Sequence, residues 1–308
     1  MSELPAALEA YVSLRRSLGF VLKEADFLLP SFVAFAQARE TPYLTTELAL
    51  EWANSHPGVL AVTKRQRLSA VRGFATYLKT IDDRTEIPPP DLLPATYRRV
   101  TPHIYTDEEI DALLAAAGQL TPPIRARTYE TLIGLLAVSG IRIGEAIRLD
   151  RTDIDHARSV LVVRNSKLEK ARQVPLHLST LKALVDYQRE RDLHFDDLAG
   201  DSFFVSTLGS RLHPRTVGQV WKHLVALAGL HGRGERPRPR VHDLRHTVAV
   251  NVLLEWYEAG IDVDAAMPVL SKMLGHLNPA NTYWYLTGVP ELFSVIAGRV
   301  GNIWEELP

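Results

Sequence analysis

Four short segments carry side chains suited to gripping and attacking an anionic ester. In SGIRIGEAIRL, Ser139-Gly140 turns the chain between two apolar runs, and Arg142 follows at a helix start. Glu145, three residues on, shares its helical face and can orient the guanidinium; a purely structural Arg–Glu pair is the plainer reading of that segment alone. In VRNSKLEKARQVPL, Lys167 and Lys170 fall in or beside a hairpin turn. Most lysines at such tips are simply solvated, but a tip reaches farther than a helix face, which suits a proton donor. In PRPRVHDLRHT, His242 and Arg245 are three apart and share a helical face, with Asp243 placed to cap that helix. His246 reads equally well as a packed core histidine. In MLGHLNPANTYWYLTGVPEL, His276 follows Gly275 at a helix end, and Asn278-Pro279 opens a new short helix that carries Tyr285. On one continuous helix, positions 276 and 285 would lie about 2.5 turns apart and point oppositely; the break lets both face one site. Tyr283 and Trp284 read as core aromatics.

The elements that must position these residues are mostly helical. The chain has 308 residues, enough for two domains. Prolines 88, 89, 90, 94 and 102 make residues 87–103 a Pro-rich linker, since proline lacks the amide donor and restricts its predecessor. Before it, residues 1–86 show helical spacing: Leu4, Leu8, Tyr11, Leu14 and Leu18, stopped by Gly19; then Phe27, Leu28, Phe32, Phe35 and Ala36; then a capped start at Thr45; then Leu68, Val71, Phe74, Ala75 and Leu78. After it, residues 104–308 combine a helix start at Thr106, a buried helix ended by Gly140, and two β-like runs, SVLVVRN and ARQVPL, that form a hairpin. Helices are expected over 179–192, 214–229, 243–259, 266–274, 279–286 and 289–300.

Composition excludes several classes. Lys and Arg total 35 against 36 Asp and Glu, a net charge of −1, so a bulk polycation is ruled out and a local basic face is not. Two such faces exist. Lys64, Arg65, Arg67, Arg72 and Lys79 lie in a stretch with no acid, and Arg233, Arg236, Arg238 and Arg240 crowd residues 231–246. Each is either a solvated surface or a strip that tracks a phosphate backbone. The absence of cysteine removes disulfide scaffolds, thiolate metal sites and Cys catalysis. No converging carboxylates or ligand-spaced histidines suggest a metal, and no cofactor is expected. No apolar run of about 18 residues and no apolar leader are found, so a soluble, cytoplasmic protein without a membrane partner is expected.

Taken in order, RIGE at 142–145, the SKLEKARQVPL hairpin, HDLRH at 242–246, LGH at 274–276 and a tyrosine nine residues after that histidine resemble the tyrosine recombinase (phage integrase-like) family. TYWYLTGVPEL is similar to the integrase-like recombinases of mobile elements. The resemblance implies a mainly α fold with a small β-sheet or hairpin in the catalytic domain (α+β). It also implies a C-shaped clamp of two domains: an N-terminal helical core-site DNA-binding domain (1–86) and a catalytic domain (104–308) with a C-terminal tail for protomer exchange. It implies strand cleavage and rejoining through a 3′-phosphotyrosine, without metal or ATP. Tyr285 would be the nucleophile, Arg142 and Arg245 would hold the phosphate oxygens, and Lys167 would protonate the leaving 5′-oxygen. His242 would be base or relay at Tyr285, His276 would bond a phosphate oxygen, and Glu145 would support the Arg142 and His242 side. The implied partners are double-stranded DNA with inverted-repeat core sites and further copies of the chain. These copies form a tetramer in the synaptic complex and a monomer or dimer off DNA, with or without sister recombinases, in a prokaryotic nucleoid. Three rivals share parts of this pattern: a type IB topoisomerase, a non-catalytic DNA-binding accessory protein of the same fold, and an unrelated helical enzyme with a His/Arg cluster.

Overall fold

The computed structural model describes residues 4–41, 43–93, 100–164, 171–195, 198, 200–233, 238–276 and 278–288. Lys167, Lys170, Arg236, Pro94 and the helix expected over 289–300 lie outside the described residues. The chain divides into two units, Met1–Arg99 and Val100–Pro308.

The first unit is four helices: α1 (Leu4–Ser17), α2 (Lys23–Ala38), α3 (Thr46–Asn54) and α4 (Ala61–Leu78). The Thr45 hydroxyl caps α3 by accepting from the Leu48 amide at 3.1 Å. Tyr11, Leu29, Phe32, Trp52, Leu68 and Phe74 fill the centre. Leu14, Leu18 and Phe27, expected to be part of this apolar pattern, are instead exposed. The helical period tells which residues share a face, not whether another element covers it: Leu14 lies in the last turn of α1, Leu18 just past its end, and Phe27 on the open side of α2. Residues 86–89 of the proline segment are fastened to this unit. The Glu86 carboxylate accepts from the Thr46 amide at 2.8 Å, and the Arg72 guanidinium donates to the carbonyls of Pro88 at 2.6 Å and Pro89 at 2.8 Å.

The second unit runs α5 (Asp107–Gly118), α6 (Pro123–Ser139), α7 (Ile143–Ile147), a 3-10 turn (Arg151–Asp153), β1 (Ile154–Asp155), β2 (Val160–Val163), β3 (Arg172–Pro175), α8 (Leu178–His194), α9 (Pro214–Leu227), α10 (Asp243–Glu258), α11 (Val263–Leu274) and α12 (Ala280–Gly288). Helices dominate, and the sheet is a small antiparallel meander of order β1-β2-β3. The anticipated hairpin is β2–β3, with Leu161 opposite Val174 and Val163 opposite Arg172. The two-residue β1 at its edge was not anticipated. Thr106 and Glu109 close a reciprocal capping box at the start of α5. Helix α6 is buried along most of its length and ends at Gly140, whose φ of 61° is the left-handed cap that glycine adopts without steric cost. Helix α10 packs on α6, α11 and α12, and α11 packs on β3. The described catalytic candidates, Arg142, Glu145, His242, Arg245, His276 and Tyr285, therefore sit where the end of α6, α7, α10, α11, α12 and the edge of the sheet meet.

Candidate active site

The C-terminal end of α11 is the hub. A helix leaves its last carbonyls without partners and carries partial negative charge there. Three arginines from three other elements take up consecutive carbonyls. Arg172 Nε donates to Met273 O at 2.9 Å, Arg245 Nη2 to Leu274 O, and Arg142 Nη2 to Gly275 O at 2.9 Å. Arg245 also donates to Gly140 O at 2.8 Å, so one side chain joins the ends of α6 and α11. It is 2% exposed. Burial, and next the charge of Arg142, pull its pKa down to about 10, which still leaves it charged at neutral pH.

Glu145 orders the two other guanidiniums. Its carboxylate accepts from the Arg142 amide at 2.8 Å and from Arg142 Nη1 at 3.0 Å. It also takes a two-pronged bond from Arg172, at 3.0 and 2.7 Å, the planar fork geometry that fits a carboxylate. Burial pushes the Glu145 carboxyl up, but the Arg172 hydrogen bonds, the Arg142 amide and both guanidinium charges outweigh it and hold it at about 2. Glu145 thus holds Arg142 from the start of α7 and Arg172 from β3 together. Glycine at 275 is required: its φ is 67°, and a Cβ there would lie 2.7 Å from the Arg172 guanidinium carbon.

Three histidines border this cluster. His276 Nδ1 is bonded to the hydroxyl of Thr282, 2.7 Å away and fully buried. Burial, then the charges of Arg245 and Arg142, lower His276 to about 4. His242 is lowered to about 4 by burial and by Arg245 and Arg240. Both rings are neutral at pH 7. Asp243 does not cap α10 through forward amides; it is buried and accepts from the preceding Arg240 amide at 2.8 Å and side chain at 2.7 Å. Tyr285 is 2% exposed, on the same helical face as Thr282. Its hydroxyl lies 2.8 Å from Nδ1 of His246, not of His242. The His246 ring in turn meets His242 edge-on, with centroids 4.9 Å apart. Of the two neighbouring aromatics, Trp284 is partly buried as expected, whereas Tyr283 is 39% exposed.

Residues 104–289, the stretch that contains this cluster, match the model of the phage integrase family. The chain belongs to this family of tyrosine recombinases. An integrase/recombinase of Sinorhizobium fredii, y4rB, is 41% identical over 99% of each chain. Two solved structures share the fold. The integrase of transposon Tn1549 in complex with transposon right end DNA has a TM-score of 0.65 at 17% identity, covering 96% of this chain and 99% of that one. A lambda integrase tetramer bound to a Holliday junction has a TM-score of 0.60 at 20% identity, covering 90% and 78%.

The recombinase's expected DNA-contacting residues divide into two groups. Arg65, Lys79 and Arg238 are exposed and Lys64 partly so. Arg67 is not a surface residue: it is 7% exposed, donates to Trp52 O at 3.2 Å and lies over the Trp52 ring. Arg72 is committed to the proline carbonyls described above. Arg240 is paired with Asp243, and Arg233 with Glu109 at 2.8 Å. Charge pattern locates basic residues but not the carbonyls and carboxylates that claim them in the fold. Two members of the site were missed, Arg172 and His246. The alternation Arg172, Val174, Leu176 places the arginine on the core-facing side of its strand, where it needs a carboxylate. His246 lies four residues after His242, on the same helical face.

Proposed function

We propose that this recombinase cleaves and rejoins DNA through a 3′-phosphotyrosine formed by Tyr285, in the service of a mobile element that is integrated, excised or transposed. The observation that carries this reading is the charge of the cluster: among the described residues, the guanidiniums of Arg142, Arg172 and Arg245 face one carboxylate, Glu145, with His242 and His276 neutral beside them. Such a site favours a bound anion. A phosphodiester supplies one charge at rest and more as the nucleophile adds, when preorganised donors count most. Arg142 and Arg245 hold the non-bridging oxygens, and His276, with Nδ1 fixed by Thr282, offers Nε2 to a phosphate oxygen. Lys167 protonates the leaving 5′-oxygen, and His242 relays protons on the Tyr285 side by way of His246, whose ring it meets edge-on. The ester conserves the bond energy, so a 5′-hydroxyl of a partner strand can displace the tyrosine without ATP.

The partners follow from the same reading: duplex DNA with inverted-repeat core sites, and further copies of the chain, four in the synaptic complex; the lambda integrase structure holds a tetramer on a Holliday junction. The first unit, the exposed basic residues Arg65, Lys79 and Arg238 and the partly exposed Lys64 supply backbone grip, and the tail beyond residue 288 docks on a neighbouring protomer. The full-length likeness to y4rB favours a recombinase over a topoisomerase. No described helix is long and apolar enough to cross a membrane, and the proposed place of action is the cytoplasm, at the nucleoid.

The test is a nicked suicide duplex, selected from a pool of randomised inverted repeats for binding to the wild-type chain. The wild-type protein forms a covalent adduct resistant to denaturation, and Tyr285→Phe forms none. An adduct that survives Tyr285→Phe overturns the assignment.

A further inference from the structure

We infer that His246, rather than His242, is the group that takes the proton from the Tyr285 hydroxyl when the strand is cut and returns it when the strand is rejoined. The inference rests on the assignment of Tyr285 as nucleophile made above. Its basis is contact: His246 Nδ1 lies 2.8 Å from the tyrosine oxygen, within the range a proton acceptor needs. The two rings are 5.5 Å apart and inclined at 61°, and the Trp284 ring, 6.2 Å from that of His246, packs against both. The tyrosine is 2% exposed, so bulk water does not compete for its proton.

Position along α10 decides which of the two histidines meets the phenol. His242 is at the N-terminal end, where burial, then the Arg245 and Arg240 charges, and the helix terminus itself disfavour a further positive charge. A ring held at about 4 is a weak acceptor at pH 7. His246 is one turn deeper, facing α12. Among the described residues, His242 on its own helix and Trp284 and Tyr285 on α12 face it.

The step balances as follows. A lone pair of the tyrosine oxygen forms the bond to phosphorus, and the bond from phosphorus to O5′ breaks. The phenol proton moves to Nδ1 of His246, leaving an imidazolium, and Lys167 delivers a proton to O5′. In rejoining, a 5′-hydroxyl attacks phosphorus and gives its proton back to Lys167, the bond from phosphorus to the tyrosine oxygen breaks, and the His246 imidazolium returns its proton to the phenolate.

The experiment is single-turnover cleavage of the selected suicide duplex by the full chain between pH 6 and 9. It compares wild type, His246→Gln, His246→Asn and Tyr285→Phe, with DNA binding of each measured by gel shift. Both amides keep a hydrogen-bonding group near the phenol but cannot accept its proton. At pH 7 His246→Gln is expected to cleave about 10²-fold more slowly than wild type while binding DNA equally. Its rate should then climb about tenfold per pH unit toward the phenol range near 10, as tyrosinate forms unaided. A duplex with sulfur in place of the bridging 5′-oxygen, a leaving group that needs no proton, should rescue Lys167→Ala but not His246→Gln. Cleavage by His246→Gln within threefold of wild type overturns the inference. So does a deficit that is the same at every pH, and so does loss of DNA binding in both amide variants, which would make the ring a structural prop. If Tyr285→Phe is inactive and His246→Gln is fast, only this inference fails; if Tyr285→Phe still forms the adduct, the nucleophile assignment fails with it.

Discussion

Arg245 keeps a buried charge that donates to two carbonyl dipoles, Gly140 O and Leu274 O. That arrangement is costly at rest and useful when a phosphate arrives. Arg245→Ala is expected to slow cleavage by about 10²–10³-fold in single-turnover assays at saturating DNA. Arg245→Lys should recover little, because an ammonium lacks the planar fork that serves two acceptors at once. Glu145 and Arg172 are each a tenth exposed or less, so Glu145→Ala strands a buried guanidinium and should cost about 3 kcal/mol in urea unfolding. The neutral histidines give a pH signature. His242 and His276 take up protons near 6.5 in the unfolded chain but only near 4 in the fold. The unfolded state therefore binds more protons across that window, and stability falls as pH drops from 6.5 toward 4 while holding above it. His276→Asn should flatten the slope of the thermal midpoint against pH.

Elements do the positioning, and their ends matter more than their middles. Helix α11 presents Met273, Leu274 and Gly275 to three arginines because Gly275 turns left-handed there. Gly275→Ala is expected to lose about 1–2 kcal/mol through backbone strain alone, and further to displace Arg172 from Glu145. A lowered melting temperature together with impaired cleavage would show it. Much of this was readable beforehand: the period of α4, the buried α6 ended by Gly140, the helix starts at Thr45 and Thr106, the β2–β3 hairpin, and the break at Asn278-Pro279 ahead of Tyr285. What escaped were features set by distant partners. The two-residue β1 exists only through its pairing with β2. Arg67 looked like part of a basic stripe, but the carbonyls of the α3 end draw it inside. His246 looked like a core filler until α12 placed a phenol against it. Local spacing reveals which residues share a face, and tertiary contact decides what meets that face.

At the scale of the whole molecule, a net charge of −1 coexists with a basic catalytic cluster, so DNA affinity must come from local rather than global charge. Binding should still weaken steeply with salt. For about 6–10 phosphate contacts, affinity is expected to drop by about 10³–10⁵-fold between 50 and 200 mM salt, measured by fluorescence anisotropy on the selected duplex. Arg65→Ala should reduce the salt slope by about 1, whereas Arg67→Ala should lower stability of the first unit instead. The central claim is that Tyr285 becomes covalently joined to a 3′-phosphate within a pocket of arginines and histidines. Protease digestion of the trapped protein–DNA adduct, followed by mass spectrometry of the nucleotide-bearing peptide, tests it most directly. The predicted product is a single peptide with Tyr285 esterified to a DNA 3′-phosphate and a free 5′-hydroxyl on the other fragment. A linkage at any other residue, or at a 5′-phosphate, would contradict it.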